Sequence, residues 1–208
     1  MCTLYSKYEK QHAIPTGLLH AISKAESGLK DVKGRLVPWP WTINVRGQGY
    51  YFPTKQEAIA AVQAMQAKGI ESIDVGCMQV NLYYHPKAFK TLEDAFEPSK
   101  NVAYAAHFLD RLKKDHNCWY RAMAHYHSAN PIHHIPYQKT VLRIWNRDGK
   151  AGAVLAAGIF SQHPPFPPVS HIRRLGTGKT LKLNGRLTPV SSRRVRSHSS
   201  HIRRLKLS

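Results

Sequence analysis

The sequence predicts an α+β domain, mainly α, over residues 1–149, followed by a disordered, Pro-containing basic tail over 150–208. Three observations predict it. Apolar residues recur three and four apart in several segments before residue 150, the period of helices packed on one face. Residues 34–53 break that period with an aromatic, β-branched stretch punctuated by Gly and Pro, the composition of a small hairpin. Past Gly149 the chain turns to Ser, Arg, Gly and Thr around a stiff "HPPFPP" segment. Such a segment cannot bury enough apolar surface to offset its ordering entropy.

The elements follow in chain order. Residues 5–30 read as one helix, with Pro15 suited to a first turn. At about 100° per residue, Leu18, Ala21, Ile22, Ala25 and Leu29 share one apolar arc, with His20, Lys24 and Ser27 opposite. "WTINV" and "YYF" around "RGQG" predict a short hairpin. Thr54 followed by Glu57 is a capping-box pattern that opens an Ala-rich helix stopped near Gly69. Residues 72–82, "SIDVGCMQVNL", form an apolar extended segment holding polar groups. Val102, Ala105, Ala106, Leu109 and Leu112 predict a helix over 98–115. Shorter helices around 118–127 and 137–147 complete the domain.

Charge divides along the same line. The chain of 208 residues has 31 Lys+Arg against 12 Asp+Glu, a formal +19. Residues 151–208 hold 11 of the basic residues and no acid, which leaves the first 150 residues at +8. A uniformly basic globule is excluded. No stretch approaches the ~18 apolar residues of a membrane span, and the N-terminus lacks the charged and apolar regions of a signal peptide. The hexamer "SHIRRL", at 170–175 and 200–205, is a short repeat without structural period. Three cysteines, Cys2, Cys77 and Cys118, stay free or pair two and leave one; Cys2 with Cys118 is one such pairing.

One acid stands out. Glu26 falls between Ile22 and Leu19 on the helical wheel, inside the apolar stripe. An unpaired carboxylate there is costly, and a raised pKa that keeps it protonated relieves the cost. A protonated glutamate beside an apolar cleft is what general-acid chemistry on a glycosidic oxygen needs. The plainer reading pairs Glu26 with a cation at the edge of the stripe. Ser27-Gly28 ends the helix just after it. Gln79 and Asn81 alternate along "GCMQVN", which places both amides on one side of an extended segment, opposite Met78 and Val80.

Taken together, "AISKAESGLK", "DVGCMQVNL", "AMAHYHS" and the following Tyr137 resemble the ordered motifs of soluble-type lytic transglycosylases over residues 5–147. The "WPWTINVRGQGYYF" insert resembles one bacterial branch of that family. The resemblance implies a lysozyme-like domain that cleaves the β-1,4 bond between N-acetylmuramic acid and N-acetylglucosamine, leaving a 1,6-anhydromuramoyl end. It implies Glu26 as the single catalytic acid and base, in contrast to the paired carboxylates of ordinary glycosidases. Ser27, Gln79, Asn81 and Tyr126 would contact the saccharide, Met78 would pack beside it, and Tyr137 would orient Glu26. The chain departs from the family at His127, where asparagine is usual, at Ser128, where glycine is, and at Cys77, where leucine is.

Implied with the family are peptidoglycan glycan strands as partner, no cofactor, and a place in the periplasm or cell envelope, reached by a start upstream of Met1 or by unconventional export. The tail suits anionic envelope polymers, and a secretion or conjugation apparatus is a further partner. Lysozyme-type hydrolysis would need a second carboxylate, Asp74 or Asp31, and Asp74 reads better as a turn residue before Gly76. A different class, a polyanion or nucleic-acid binder acting through the tail, is disfavoured because the domain carries no nucleic-acid motif. His125, His127, His133 and His134 with Cys118 match no zinc spacing, so no metal is expected; His125 and His127 are expected on opposite sides of a short segment. Trp39, Trp41, Tyr50 and Tyr51 divide between a sugar-stacking platform and core.

Overall fold

In the computed structural model, which describes residues 2–149, the first predicted helix is two. Helix α1 (Cys2–Gln11) stops where Ala13 enters the left-handed region at φ 51, and α2 (Leu18–Ser27) starts after Gly17 at φ 82. Two bonds close the end of α1: Ile14 N–H to the Glu9 carbonyl at 2.8 Å and Ala13 N–H to Lys10 at 3.4 Å. This is a Schellman-type turn with alanine where glycine is usual. Gly17 has no side chain to cap α2. The buried Glu9 carboxylate does so instead, accepting from Gly17 N–H at 2.9 Å and Leu19 N–H at 3.1 Å. A carboxylate at a helix N-terminus also meets the positive end of its dipole. Apolar period continues across the break, which is why spacing alone fuses the two helices.

Gly28 ends α2 in an extended conformation, φ −62 and ψ 124. A Cβ there would lie 2.3 Å from the Lys24 carbonyl and 2.7 Å from Leu36, so only glycine lets the chain leave the helix this closely. Strand β1 (Gly28–Lys30) pairs antiparallel with β2 (Leu36–Pro38), so Leu29 belongs to a strand and not to the helical stripe. The predicted hairpin forms: β3 (Thr42–Val45) pairs with β4 (Gln48–Tyr51) across Arg46-Gly47, both at positive φ. That is the two-residue turn whose twist matches the strands. Thr54 caps α3 (Lys55–Gln66) by accepting from Glu57 N–H, as the capping box predicts.

Residues 72–82 form a hairpin instead of one extended segment. Strands β5 (Asp74–Val75) and β6 (Val80–Asn81) flank a tight loop, Gly76–Gln79, and join the sheet in the order β4-β3-β5-β6. Gly76, at φ 80, is held against Asn101, whose side chain a Cβ would meet at 2.5 Å. Short helix α4 (Leu92–Ala95) leads to α5 (Pro98–His116), α6 (Trp119–His127) and α7 (Pro131–Arg147). The last begins six residues before its predicted start, because Asn130 caps it and Pro131 takes the first position, where no N–H is needed. Pro136 lies inside it.

The fold is α+β and mainly α, as predicted. One apolar core joins α1, α2, α5, α6 and α7 around the fully buried Trp145, Leu18 and Met123. A second, around Ile43, Val62, Val75 and Phe96, sits between the sheet, α3 and α4. Trp41 and Tyr50 pack on this second core, and Trp39 meets Trp41 edge-on at 5.6 Å while donating to the Phe52 carbonyl. Cys77 and Cys118 are buried free thiols, so the pairing of Cys118 is not observed. The predicted tail over 150–208 lies outside the described residues. Among those residues no helix is long and apolar enough to cross a membrane.

Candidate active site

Glu26 is the next-to-last residue of α2, and two bonds tie that helix to the Gly76–Gln79 loop while a third ties it to α1. The Cys77 carbonyl accepts from Ser27 Oγ at 2.8 Å and from Ser23 Oγ at 3.2 Å, while Tyr5 Oη meets Ser23 Oγ at 2.6 Å. Asn101 holds the loop from the other side. Its Oδ1 accepts from Met78 N–H at 2.8 Å, and its Nδ2 donates to the Val75 and Ala95 carbonyls. Asn101 is fully buried with its amide satisfied, which makes it part of the scaffold.

Between these elements opens a cavity of about 620 Å³. One wall is polar: Glu26, Asn44, Asp74, Gln79 and Asn81. Aromatic side chains, Tyr84, His85, Tyr104, Phe108 and Tyr126, line the cavity as well, together with His125, His127 and Ser128 from the end of α6. Such a mixture suits a polyhydroxylated ligand whose sugar rings have apolar faces.

Glu26 carries the strongest perturbation on the polar wall. Protein crowds its carboxyl although the residue borders the cavity, and burial pushes its pKa up to about 8; the Asp74 carboxyl adds to the rise, and Tyr137 opposes it. At neutral pH the group is mostly protonated. The Tyr137 hydroxyl is buried beside Glu26 and couples to it, short of strict hydrogen-bond geometry. The His127 ring stacks on Tyr137 at 4.6 Å and 10°. Burial also holds the cavity histidines low: His127 with help from His133, His125 with help from His116, His134 and Arg121, and His85 with help from Arg111. Neutral imidazoles leave Glu26 without a cation to pull its pKa down.

The predicted contacts fall into two groups. Gln79, Asn81 and Tyr126 line the cavity with Glu26. Gln79 sits at φ 48, in the left-handed region, and its Nε2 donates to the Gly76 and Thr42 carbonyls at 2.9 and 3.3 Å. Those bonds orient the amide so that Oε1 is the atom left for a ligand donor. Asn81 is spent on structure: Nδ2 donates to Asp74 and Ser72, and Oδ1 accepts from the Tyr83 and Tyr84 N–H groups. Tyr126 presents its ring while its hydroxyl donates to the Met78 carbonyl at 2.9 Å. Ser27 and Met78 are fully buried and stand behind the wall. Ser27 therefore does not belong to a solvated helix face, and Tyr137 lies in the layer that supports Glu26.

Other placements differ from expectation. Asp74 is a strand residue facing the cavity, not a turn residue; burial raises its pKa and the Asn81 bond opposes the rise. His125 and His127, expected on opposite sides, both reach the cavity from the last turn of α6. Among the described residues no cluster of metal-ligating side chains occurs. Tyr104 and Phe108 were missed, although two aromatics four apart, flanking the apolar stripe of α5, are a readable signal. Asn44 carried none beyond its place in the hairpin.

The chain is similar to the type IV secretion system protein virB1 of Brucella abortus, Brucella melitensis biotype 1 and Brucella suis biovar 1, each 32% identical over 108 residues. That match takes in 50% of this chain and 37% of each relative, so the chain spans little more than a third of the length of the curated relatives it matches. No family model and no solved structure matches it.

Proposed function

We propose that this chain is a peptidoglycan lytic transglycosylase of lysozyme-like fold, with Glu26 as its single general acid and base. The observation that carries the reading is a carboxyl kept protonated near neutrality on the wall of a cavity fit for sugars. The similarity to virB1 supports a place beside a secretion apparatus, hence in the periplasm. Glu26 donates its proton to the bridging oxygen as the bond from C1 of N-acetylmuramic acid breaks. The resulting carboxylate takes the proton of the C6 hydroxyl as O6 closes on C1. This yields a 1,6-anhydro end, a free N-acetylglucosamine hydroxyl and the regenerated acid. The sugar's own N-acetyl group stabilises the cationic centre, and Gln79 Oε1 accepts from a sugar N–H or O–H.

Mass spectrometry of purified peptidoglycan digested by the full chain tests this. Anhydromuropeptides are expected, lost by about 10²–10⁴-fold in Glu26→Gln. Reducing ends alone would replace this reading with lysozyme-type hydrolysis, which has one observation in its favour: Asp74 faces the same cavity. Asp74→Asn separates the two, because a hydrolase dependent on Asp74 stops while the transglycosylase still forms anhydro ends.

A further inference from the structure

Tyr137 packs against the first core, and its buried hydroxyl stands beside Glu26 without a partner at strict hydrogen-bond geometry among the described residues. Pro136, immediately before it in α7, has no N–H for the Ile132 carbonyl, so the backbone ladder is interrupted at this point. What lies on the ring is His127, the last residue of α6, parallel within 10° at 4.6 Å between centres. His127 is exposed and borders the cavity, which Tyr137 does not. Among the described residues its imidazole makes no hydrogen bond, which leaves ring stacking as the contact that orients it. A tied turn delivers that ring. The Ser128 carbonyl accepts from His134 Nδ1 at 3.0 Å, Ser128 Oγ accepts from Asn130 N–H at 3.1 Å, and Asn130 in turn caps α7. Gln138, next to Tyr137, donates to the Tyr120 carbonyl at 2.8 Å and ties α7 to α6 a second time.

From this arrangement we infer that His127 is a positioning residue: its ring, stacked on Tyr137, holds the tyrosine hydroxyl at the Glu26 carboxyl. Its kinetic consequence rests on the function proposed above, and the coupling itself rests on the geometry. A flat ring is what the role requires. The Tyr137 hydroxyl opposes the rise in the Glu26 pKa, so a tyrosine that swings free lets that pKa climb further. A ring that only kept water off Glu26 would, once removed, let it fall. The sign of the change therefore tells the two roles apart. His127 is itself neutral where Glu26 titrates, because burial and then His133 hold its pKa below the usual histidine value.

A double-mutant cycle on the full chain tests it, with two readouts: kcat for release of anhydro ends from peptidoglycan, and the Glu26 pKa from carbon NMR of its carboxyl. Loss of the resonance in Glu26→Gln identifies it. His127→Ala is expected to lower kcat about three- to tenfold, with KM within about twofold, and to raise the Glu26 pKa. In Tyr137→Phe, which keeps the ring and lacks the hydroxyl, the same substitution is expected to change neither. His127→Phe keeps the stack and restores most of kcat; circular dichroism verifies that each variant folds. An undiminished loss in the Tyr137→Phe background, a Glu26 pKa that falls in His127→Ala, or no rescue by His127→Phe overturns the inference. A wild type that releases no muropeptide overturns the proposed function, and the NMR titration then decides by itself whether His127 acts through Tyr137.

Discussion

Replacing Glu26 with Gln makes the protein less dependent on pH, because the amide copies the protonated acid and never ionises. The carboxyl titrates near 4.5 in an unfolded chain and at about 8 in the fold. Below 4.5 both states hold the proton and the group is neutral to stability. As pH rises the unfolded state ionises first, so the wild type loses stability until the folded carboxyl also ionises near 8. The gap is about 3.5 units, and at ~1.4 kcal/mol per unit the ceiling is about 5 kcal/mol. Water in the cavity relaxes around the carboxylate and brings the expected loss to roughly 2–3 kcal/mol. Urea unfolding of wild type and Glu26→Gln at pH 5, 7 and 9, with equal slopes, measures it. The variant should gain on the wild type between pH 5 and 9 and no further above that. Profiles that run parallel within about 0.5 kcal/mol refute the raised pKa.

Three further outcomes follow from particular contacts. Tyr137→Phe removes the group that holds the Glu26 pKa down, so the basic limb of the activity profile moves to higher pH while kcat falls about tenfold through lost orientation. Ala13→Gly relieves a left-handed alanine at the end of α1 and raises stability by about 1 kcal/mol, or some 2–4 °C in melting temperature. Asn101→Ala strands the Met78 N–H and the Val75 and Ala95 carbonyls in the core, costs about 2–4 kcal/mol, and loosens the Gly76–Gln79 loop, which amide hydrogen exchange reads directly.

What sequence made legible was local. The Arg46-Gly47 hairpin, the Thr54–Glu57 cap and the stripe of α5 depend on neighbours within a few residues, and all three formed. Glu26 was legible for a related reason: a charge inside an apolar stripe is anomalous without knowledge of any distant contact. What escaped was long-range. The break before α2 depends on Glu9 reaching the N–H groups of Gly17 and Leu19, and a glutamate in a helix gives no sign of capping the next one. Ser27 looked solvated because its partner, the Cys77 carbonyl, lies 50 residues away. Asp74 was read from the bend after it, and the strand pairing that turns it toward the cavity comes from Asn44 and Asn81.

The position of Glu26 at the end of α2 has an electrical consequence for the proposed reaction. The carbonyl end of a helix carries roughly half a negative charge, which opposes an adjacent carboxylate by about 0.3–1 kcal/mol and favours a cation. Lys24, two residues before it in the same helix, is paired with Asp148 at 2.6 Å. In a sugar that has lost its leaving group, C1 becomes that cation. The helix end that makes the acid reluctant to release its proton thus also favours the positive charge created when it does.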